Sequence, residues 1–499
     1  MSADYTIEKQ NSPFSDARSK FRSLIAWLES PETDKEEHYE LERGLQEGGL
    51  ELLRLLFAGH LEMRALREHR LSSLTGDDGV ARTHVRDSER GLMTVFGPVR
   101  VPRLQYSKPG VQSRFPADAE LNLPSELYSH GLGRHVAEQS ALGSFEQVVE
   151  FVSQHTGGHV PKRQVEQLAA RAAVDFDEYY EHGRATEPEQ TDDLLVLSFD
   201  GKGIVVLPRD LREYTKQALK RSQHKLQKRL SIGEKRNRKR IAQVATVYTV
   251  ERQQRTPQEV MGELGPVRDV DEPRPKARNK RVWASVEKQP EQVIEEAFQE
   301  ALRRDPQQQR QWIVLVDGDP HQEKRIRRCA ASHDVEVVVL IDVIHVLEYL
   351  WKAAWCFFSP GDKKAEQWVV KRAIAILEGR ASAVAGGIRR SATMRHLTGS
   401  KRKNVDTVCK YLLNHSAMMR YDLALEQGYP IATGIVEGAC RHLVKDRMEL
   451  TGARWSLDGA EAVLRLRALR VSGDFNDYWT FHLHQEHQRN HVSQFEKVA

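Results

Sequence analysis

The feature that most constrains the fold is a regular alternation of short apolar runs and amphipathic segments between about residues 191 and 358. Apolar runs such as "LLVLSFDGKGIVVL", "RIAQVATVYTV" and "QWIVLVD" have the length and composition of buried strands. Segments such as "EQVIEEAFQEALRRD" and "VIHVLEYLWKAAWCFF" have the three- and four-residue spacing of helices. In chain order the pattern predicts three strands, a helix, a strand, a helix, a strand and a helix. Such a chain folds as an α/β domain in which crossover helices connect parallel strands.

This order of elements is that of the ribonuclease H-like fold, in which a three-stranded meander precedes crossover units. The sequence therefore predicts an α/β protein in which a ribonuclease H-like core is interrupted by an all-α insertion and preceded by a mainly helical N-terminal region. The polar stretch "TEPEQ", residues 186–190, indicates a boundary. The predicted segments are 1–120, helical with a β-hairpin; 121–190, helical with a candidate helix-turn-helix; 191–355, the first part of the core; 356–428, the insertion; and 429–499, the last core helix and a C-terminal tail.

Length and composition narrow the class of protein. A chain of 499 residues, 29% of them charged, is expected to form two to four soluble domains. No apolar run reaches about 18 residues, so no membrane span is expected, and the first residues lack the apolar core of a signal peptide. The four cysteines form no C-x-x-C pair, which indicates neither a disulfide framework nor a thiolate zinc site. A reducing cytoplasm is the expected compartment.

The N-terminal region combines helical blocks with one hairpin. Residues 15–75 and 120–185 have helical periodicity, whereas the apolar residues of "RGLMTVFGPVRVPRLQYS" predict a β-hairpin that turns at Gly97-Pro98. Within the second block, Ser144 is a candidate N-cap, and Gly157-Gly158 breaks the helix before a second helix opens after Pro161. This arrangement fits a helix-turn-helix and fits an ordinary helical hairpin equally well.

Two groups of residues are candidate DNA contacts. Between Arg209 and Arg240 the chain has thirteen Lys or Arg residues and three acidic ones, an excess that favours a polyanionic partner. A solvated basic loop is the alternative. In a helix-turn-helix, the first turn of the second helix would contact the major groove. The candidate DNA-binding residues are Lys162, Arg163 and Gln164 in that turn, and Lys235, Arg236, Arg238, Lys239 and Arg240 in the basic segment.

Three carboxylates point to metal chemistry. Asp200 in "LSFDGKG" and Asp317 in "VLVDGDP" lie in or after predicted strands, and Glu437 lies in "ATGIVEGAC", on the helix after the insertion. In α/β sheets functional residues collect at the carboxyl ends of strands. Converging carboxylates are tolerated when divalent cations neutralise them, and oxygen-only ligands suit Mg²⁺ or Mn²⁺. Two such ions can activate a water or a 3′-hydroxyl for attack on a phosphodiester. Asp319, before Pro320, is instead interpreted as a turn or N-cap residue. Gly318, between the two aspartates, is expected to keep the backbone open for a substrate to come close.

The motifs "SFDGKG", "VDGDPHQ", "LIDVIHVLEYLWKAAW", "GIVEGACRHLVKDRM" and "GARWSLDGAEAVLRLRAL" resemble the DDE transposases of bacterial insertion sequences, specifically the ISKra-type family. The resemblance runs from about residue 50 to the end of the chain. It implies that Asp200 and Asp317 are the two catalytic aspartates and that Glu437 is the catalytic glutamate. It also implies that Asp342 and His345 form the D-x-x-H element of mutator-like relatives, for which a structural pair is the alternative.

The function implied by the resemblance is that of a DNA transposase. Such an enzyme binds transposon ends, hydrolyses the DNA strand with Mg²⁺ or Mn²⁺, and then joins the freed 3′-hydroxyl to target DNA. The expected partners are double-stranded DNA, at terminal inverted repeats and at the target, and further copies of the chain in a homodimer or larger assembly. The expected location is the bacterial cytoplasm, at the nucleoid.

Other residues are weaker candidates. Arg441 and Lys445, one and two turns after Glu437, are candidate phosphate contacts, as is Arg447. Trp455 is a candidate for stacking on an unpaired base, although a tryptophan is more often a core residue. The tail histidines favour an exposed terminal helix over a metal site; they are His482, His484, His487 and His491.

Two alternative functions stay open at this point. One is a nuclease with the same metal site but without strand transfer, against which the helical and hairpin region before residue 186 argues, since a nuclease would lack end-recognition domains. The other is a DNA-binding protein with an inactive core, against which the three intact carboxylates argue.

Overall fold

The structure is a computed structural model of the chain that describes residues 12–185, 187–221, 226, 230–231, 234, 236–263, 275–432 and 434–494. The protein is of mixed α/β type. It divides into two compact units, one reaching to Arg184 and resuming at Gly473, the other spanning Ala185–Ser472. The break after Arg184 immediately precedes the predicted boundary at 186–190. The predicted segment 429–499 is divided, because its last part packs with the N-terminal unit.

The first unit contains helices and two small antiparallel sheets, one of two strands and one of three. Its elements are α1 Ser15–Leu28, α2 His38–Leu66, β1 Leu74–Thr75, β2 Ala81–Arg82, β3 His84–Thr94, β4 Gly97–Lys108, β5 Val111–Arg114, α3 Pro116–Glu120, α4 His130–Ser140, α5 Phe145–His155, α6 Lys162–Arg171 and α7 Phe176–Glu178. The predicted hairpin is β3 and β4, but Thr94 pairs with Gly97, so the turn is Val95-Phe96. Gly97, with φ of 120°, opens β4 in a conformation that favours glycine.

The predicted two-helix motif is α5 and α6, which pack with α4 around one apolar cluster. Ser144 caps α5 in a capping box with Gln147, and α6 begins after Pro161, as predicted. Apolar residues from the three helices, among them Val136, Val152 and Val165, form the buried cluster. The hydrophobic effect of burying these side chains therefore stabilises a three-helix arrangement.

The second unit contains a five-stranded sheet whose strands and later helices follow in the predicted order, with two additional short helices between the first three strands. These elements are β6 Leu194–Val205, α8 Glu213–Arg221, β7 Lys239–Val250, α9 Pro257–Glu263, β8 Arg278–Ser285, α10 Pro290–Arg304, β9 Trp312–Val316, α11 Pro320–Ser332, β10 Val337–Ile341 and α12 Val343–Phe357. The strand order across the sheet is β10-β9-β6-β7-β8. β6, β7 and β8 form an antiparallel meander, whereas β9 and β10 run parallel to β6. β9, which lies between β10 and the central strand β6, is buried along its whole length.

The predicted all-α insertion is helical throughout. The helices after α12 are α13 Lys363–Leu377, α14 Ala381–Met394, α15 Gly399–Asn414, α16 Tyr421–Glu426, α17 Gly434–Ala439, α18 Asp446–Met448, α19 Leu457–Ser472 and α20 Phe475–Asn490. A π-helical turn, Cys440–Lys445, connects α17 to α18. The helix α19 returns to the sheet, where Ser472 bonds to the backbone of Val282 on β8. Within the described part of the chain no helix is both long and apolar enough to cross a membrane.

Candidate active site

Three aspartates lie side by side where three neighbouring strands leave the parallel part of the sheet. Ser198 pairs with Leu315, and Val316 pairs with Ile341. Continuing these registers by one or two residues places Asp200, Asp317 and Asp342 at one level. Because neighbouring strands are about 4.8 Å apart, each aspartate backbone lies close to the next. The sequence placed Asp200 near the middle or end of its strand; it is the seventh residue of the twelve in β6.

Hydrogen bonds hold the turn after β9. The side chain of Asp317 accepts a hydrogen bond from the backbone N–H of Asp319 at 2.9 Å. Asp319 in turn caps α11 by accepting from the N–H of His321, which confirms its predicted capping role. Both aspartates line the same cavity, but only Asp319 has its carboxylate engaged in a helix cap.

Gly318 has a different role from the one expected from the sequence. Its small size was expected to leave room for a substrate. Gly318 is instead buried with φ of 94°, and a Cβ at this position would lie 3.0 Å from the Tyr411 hydroxyl. The expectation is therefore wrong: the space beside Gly318 is filled by a helix of the insertion, and glycine is needed for the left-handed turn and for this close packing.

Asp200 and Asp317 line one cavity of about 390 Å³. Arg212 and Arg325 also line it, together with apolar residues of α10. Arg325 is paired with Glu291 at 2.5 Å. Such a cavity presents carboxylates for a cation and guanidinium groups for a phosphate within the same space.

Glu437 lies with Asp342 and His345. Ligand atoms of these three side chains all lie within 4.8 Å of one another. Asp342 is buried and accepts a hydrogen bond from the N–H of Ile344 at 2.7 Å, so it caps α12. Among the described residues, Asp200 and Asp317 belong to no such close group of three. The structure thus brings the predicted carboxylates to one edge of the sheet, with Asp200 and Asp317 in one cavity and Glu437 beside the D-x-x-H pair.

The electrostatics of the site oppose charge on Glu437. Partial burial, and then the neighbouring carboxylate of Asp342, raise the pKa of Glu437 above its ordinary value, with a smaller contribution from Asp200. The Glu437 side chain is exposed to solvent, so its desolvation is only partial and the neighbouring like charges add to it. The accumulation of negative charge here is what a bound cation would relieve.

We expect the metal-free protein to lose stability as the pH rises from the ordinary glutamate value of 4.5 through the raised pKa of Glu437. Over that interval the folded chain keeps a proton that the unfolded chain has released, so the linkage favours the unfolded state with rising pH. Glu437→Gln should remove this part of the pH dependence. Thermal unfolding in a chelator at about pH 4.5 and about pH 7.5 measures it. An unchanged pH dependence in the variant would contradict the prediction.

Cys440 connects Asp200 to the helix of Glu437. Its thiol donates a hydrogen bond to Asp200 Oδ2 at 3.0 Å. Burial, and then the charge of Asp200, raise the pKa of the Cys440 thiol, so it stays a protonated donor. Cys440 also begins the π-helical turn, a distortion that is frequent at functional sites. The turn changes the angular spacing of the residues after Glu437 from the α-helical spacing assumed in the sequence. Arg441 and Lys445 are nevertheless both exposed.

Arg447 and Trp455, the candidate phosphate and base contacts, are not accessible to DNA. Both are buried, and the Arg447 guanidinium lies 4.8 Å from the centre of the Trp455 ring. The Trp455 backbone bonds to Val205 and Leu207 at the end of β6, and its indole donates to the Met448 carbonyl. The proposed base stacking by Trp455 and phosphate contact by Arg447 are corrected accordingly, because both side chains already belong to the protein core.

The candidate DNA-binding residues of the basic segment have different environments in the structure. Lys235 lies outside the described residues, whereas Arg236 and Arg238 are exposed. Lys239 approaches Glu449 at 3.4 Å. Arg240 is a structural residue, because its guanidinium donates to the carbonyls of Val286 and Asp210.

In the N-terminal unit the predicted DNA-reading turn is at the surface. Lys162 and Arg163 are exposed and Gln164 is half-buried, at the start of α6. Lys162 is paired with Glu146 of α5 at 2.7 Å. An exposed ion pair of this kind is worth under about 1 kcal/mol and can exchange for a phosphate contact.

The C-terminal helix α20 is not the exposed tail expected from its histidines. His482 is buried and bonds to Asp175 at 2.7 Å, and His491 bonds to the Leu123 carbonyl. His487 bonds to the Ala119 carbonyl, while His484 is exposed. Asp175, His482 and Glu486 form a close acidic group, but Arg171 and Arg489 pair with its carboxylates. The group is an internal ion-pair network that holds α20 to the N-terminal unit.

Two tyrosines of the insertion complete the site and were not found from the sequence. The Tyr411 hydroxyl donates to the Asp317 carbonyl at 3.1 Å, and the Tyr421 hydroxyl donates to the Ile341 carbonyl at 2.7 Å. Each therefore fixes the backbone beside one aspartate of the row. The sequence does not show this role, because a helical tyrosine that bonds to a strand carbonyl looks the same as one that only packs in the core.

No model of a known protein family matches the chain, and no curated protein matches it.

Proposed function

We propose that the chain is a DNA transposase of the DDE type, of the ISKra-type family that its motifs resemble. The observation that carries the proposal is the row of Asp200, Asp317 and Asp342 across three neighbouring strands, with Glu437 beside it. Carboxylates from separate strands and a late helix converge on one sheet edge, although Asp200, Asp317 and Glu437 are each more than a hundred residues apart in sequence. A purely structural role would not call for so many acids with like charges in one place.

The sheet topology supports a ribonuclease H-like core. An antiparallel meander β6-β7-β8 is followed by β9 and β10, which add in parallel on the other side of β6. Counted from β6, the five strands lie in the order 5-4-1-2-3. This is the arrangement expected when a meander precedes two crossover units, and it places β6 and β9, with their aspartates, next to each other.

The donor set fits a hard divalent cation. Asp200, Asp317 and Glu437 supply only carboxylate oxygens, which suits Mg²⁺ or Mn²⁺, and we propose that they hold two such ions. Bound there, the ions would lower the pKa of an attacking water or 3′-hydroxyl and stabilise the leaving oxygen of a phosphodiester.

The protein's own residues orient the reacting groups. The turn at Asp317 is fixed by the Asp319 N–H and by Tyr411, so the carboxylate is held without help from substrate. Cys440 orients Asp200 through its thiol hydrogen. Arg212 and Arg325, on the same cavity, are placed to bind a DNA phosphate. In the first step water attacks the phosphorus and the DNA 3′-oxygen leaves as a hydroxyl. In the second step that hydroxyl attacks the target strand and displaces another 3′-oxygen.

Further parts of the proposal follow from the same reaction. Joining two transposon ends to one target calls for double-stranded DNA at terminal inverted repeats and at the target, and for a homodimer or larger assembly of the chain. The proposed place of action is the bacterial nucleoid, in the cytoplasm. Asp342 and His345 are proposed to hold Glu437 in position, since they are its close neighbours.

The proposal is tested with the DNA that flanks the protein's own gene. Purified protein is incubated with labelled end fragments, a target plasmid and Mg²⁺ or Mn²⁺, and cleaved and joined products are separated on denaturing gels. We expect cleavage at the ends and joining to the target. Cleavage without joining would favour a nuclease that uses the same carboxylates. DNA binding without either product would favour an inactive DNA-binding protein.

We expect the double substitution of Arg236 and Arg238 by Ala to weaken DNA binding for all sequences. Loss of two phosphate contacts should reduce the slope of log K against log salt by about 1.8. Arg240→Ala is the control, because its guanidinium is committed to protein carbonyls. Fluorescence anisotropy over a series of salt concentrations measures the slopes. Equal slopes in the double variant and wild type would show that these arginines extend into solvent without contacting DNA.

A further inference from the structure

A second group of ligand-type side chains lies between α10 and α11, away from the carboxylates of the candidate active site. Glu291 of α10 pairs with Arg325 of α11, and one helical turn further along both helices Glu295 accepts a hydrogen bond from Cys329. The His333 ring, four residues after Cys329, bonds to the same Glu295 carboxylate. The two helices therefore run side by side. The second contact between them brings together the Cys329 thiol, the His333 imidazole and the Glu295 carboxylate.

We propose that Glu295, Cys329 and His333 form a Zn²⁺ site that joins α10 to α11. Sulfur, nitrogen and oxygen ligands of this kind are those that zinc takes in proteins. The i, i+4 spacing of Cys329 and His333 places both on one face of the helix end, and Glu295 faces them from the neighbouring helix. No pair of cysteines signals such a site in the sequence, because the third ligand comes from another helix.

The distances are close to those of a formed site. Ligand atoms of the three side chains lie within 4.8 Å of one another. Cys329 Sγ is 3.3 Å from Glu295 Oε2, and His333 Nε2 is 2.8 Å from Glu295 Oε1. In a tetrahedral zinc site with bonds of about 2.0–2.3 Å, neighbouring ligand atoms are about 3.4–3.6 Å apart. Small side-chain rotations therefore convert the hydrogen-bonded group into three ligands, with a water as the fourth.

Neighbouring groups orient the ligands. The His333 ring is stacked on Phe298, with 14° between the ring planes. Gln299 donates a hydrogen bond to Glu295 Oε1 at 3.1 Å. Contacts of this kind fix ring orientation and carboxylate rotamer, which is the task of outer partners at metal sites.

Access and charge permit binding from solution. Cys329 is buried, whereas the side chains of Glu295 and His333 are 39% and 24% exposed, so an ion can enter from the solvent side. Burial raises the pKa of the Cys329 thiol to about 12 in the metal-free protein, with a further contribution from Glu295. When zinc binds, the Cys329 thiol releases its proton to solvent and binds the ion as a thiolate. The zinc ion then balances the negative charge of Glu295. Affinity should therefore increase with pH.

The site would stabilise α11, which begins at Pro320, three residues after Asp317. It uses none of Asp200, Asp317 or Glu437, so it is independent of the proposed transposase activity. Its failure in a test would leave the proposed function unaffected, and the reverse also holds.

The experiment uses the full chain after removal of metals by a chelator. Zn²⁺ binding is measured by titration calorimetry, and Co²⁺ is added in parallel, because a cobalt–thiolate bond gives a charge-transfer absorption band that carboxylates and imidazoles do not. We expect one tight zinc site and the thiolate band in the wild type. Cys329→Ala should abolish the band and weaken zinc binding at this site by at least about 100-fold, since loss of an outer partner alone costs about 10–100-fold.

Cys409→Ala is the matched control. Cys409 is also a buried helical cysteine, and its thiol bonds to the Ala385 carbonyl, away from α10 and α11. It should retain both the band and the affinity. His333→Gln, at a more exposed position, guards against a folding defect of the cysteine variant and should weaken binding similarly. Absence of the band in the wild type, or its survival in Cys329→Ala, would overturn the proposal.

Discussion

Asp317→Asn is expected to reduce end cleavage and strand joining by at least about 10³-fold, or about 4 kcal/mol of transition-state stabilisation. An amide is a poor ligand for a hard cation and cannot balance its charge. The fold should be retained, because the amide oxygen can still accept the hydrogen bond from the Asp319 N–H. Single-turnover assays on end DNA, with anisotropy to confirm that DNA binding persists, measure the effect.

Asp319→Asn is the matched control, since it makes the same change two residues away. Asp319 serves as the N-cap of α11, and asparagine caps helices about as well as aspartate. Its activity and stability should remain close to those of the wild type. If Asp317→Asn is as active as Asp319→Asn, then Asp317 is only a turn residue and the metal site is elsewhere.

Glu300→Ala is expected to destabilise the sheet-containing unit by about 3–5 kcal/mol. Glu300 is fully buried on α10 between two buried arginines, with Arg281 at 2.9 Å and Arg304 at 2.6 Å. Removing the carboxylate leaves two guanidinium groups in the interior without their main counter-charge, and their desolvation is then poorly compensated. Urea unfolding followed by tryptophan fluorescence measures the loss.

Glu291→Ala on the same helix provides the comparison. Glu291 forms a solvent-accessible ion pair with Arg325, and such pairs contribute about 0–1 kcal/mol. A loss in Glu300→Ala no greater than in Glu291→Ala would mean that water reaches the Arg281–Glu300–Arg304 cluster in solution. A much larger loss of unfolding free energy in Glu300→Ala than in Glu291→Ala would show that the burial of an ion pair, rather than the number of ion pairs, determines the loss of stability.

Several site features could be predicted because they depend on local pattern. The apolar run Trp312–Val316 is a strand since it is short, β-branched and bounded by polar residues, and an acid at its end must lie at the edge of the sheet. Asp319 before Pro320 is a helix cap for equally local reasons. The order of strands and helices in the second unit follows from the same periodicity.

Features that join distant parts of the chain could not be predicted. Gly318 is packed against Tyr411, which lies 93 residues further along (411 − 318). The local sequence around Trp455 does not indicate that its backbone bonds to the end of β6. The local sequence around His482 likewise does not indicate that this ring is buried against Asp175. In each case the local sequence is compatible with exposure as well as burial, and only the packing partner decides between them.

The mixed α/β class, the order of the strands, the helical insertion and the aspartates in β6 and after β9 could all be predicted, because strand and helix periodicities and strand ends are properties of neighbouring residues. The position of Asp342 in the row, the grouping of Glu437 with Asp342 and His345, and the hydrogen bonds of Tyr411 and Cys440 beside Asp317 and Asp200 came from tertiary packing. It also decided that Arg240, Arg447 and Trp455 are interior partners rather than surface contacts. The physical reason is that strand register and helix packing, which depend on burial across the whole unit, set which distant side chains meet.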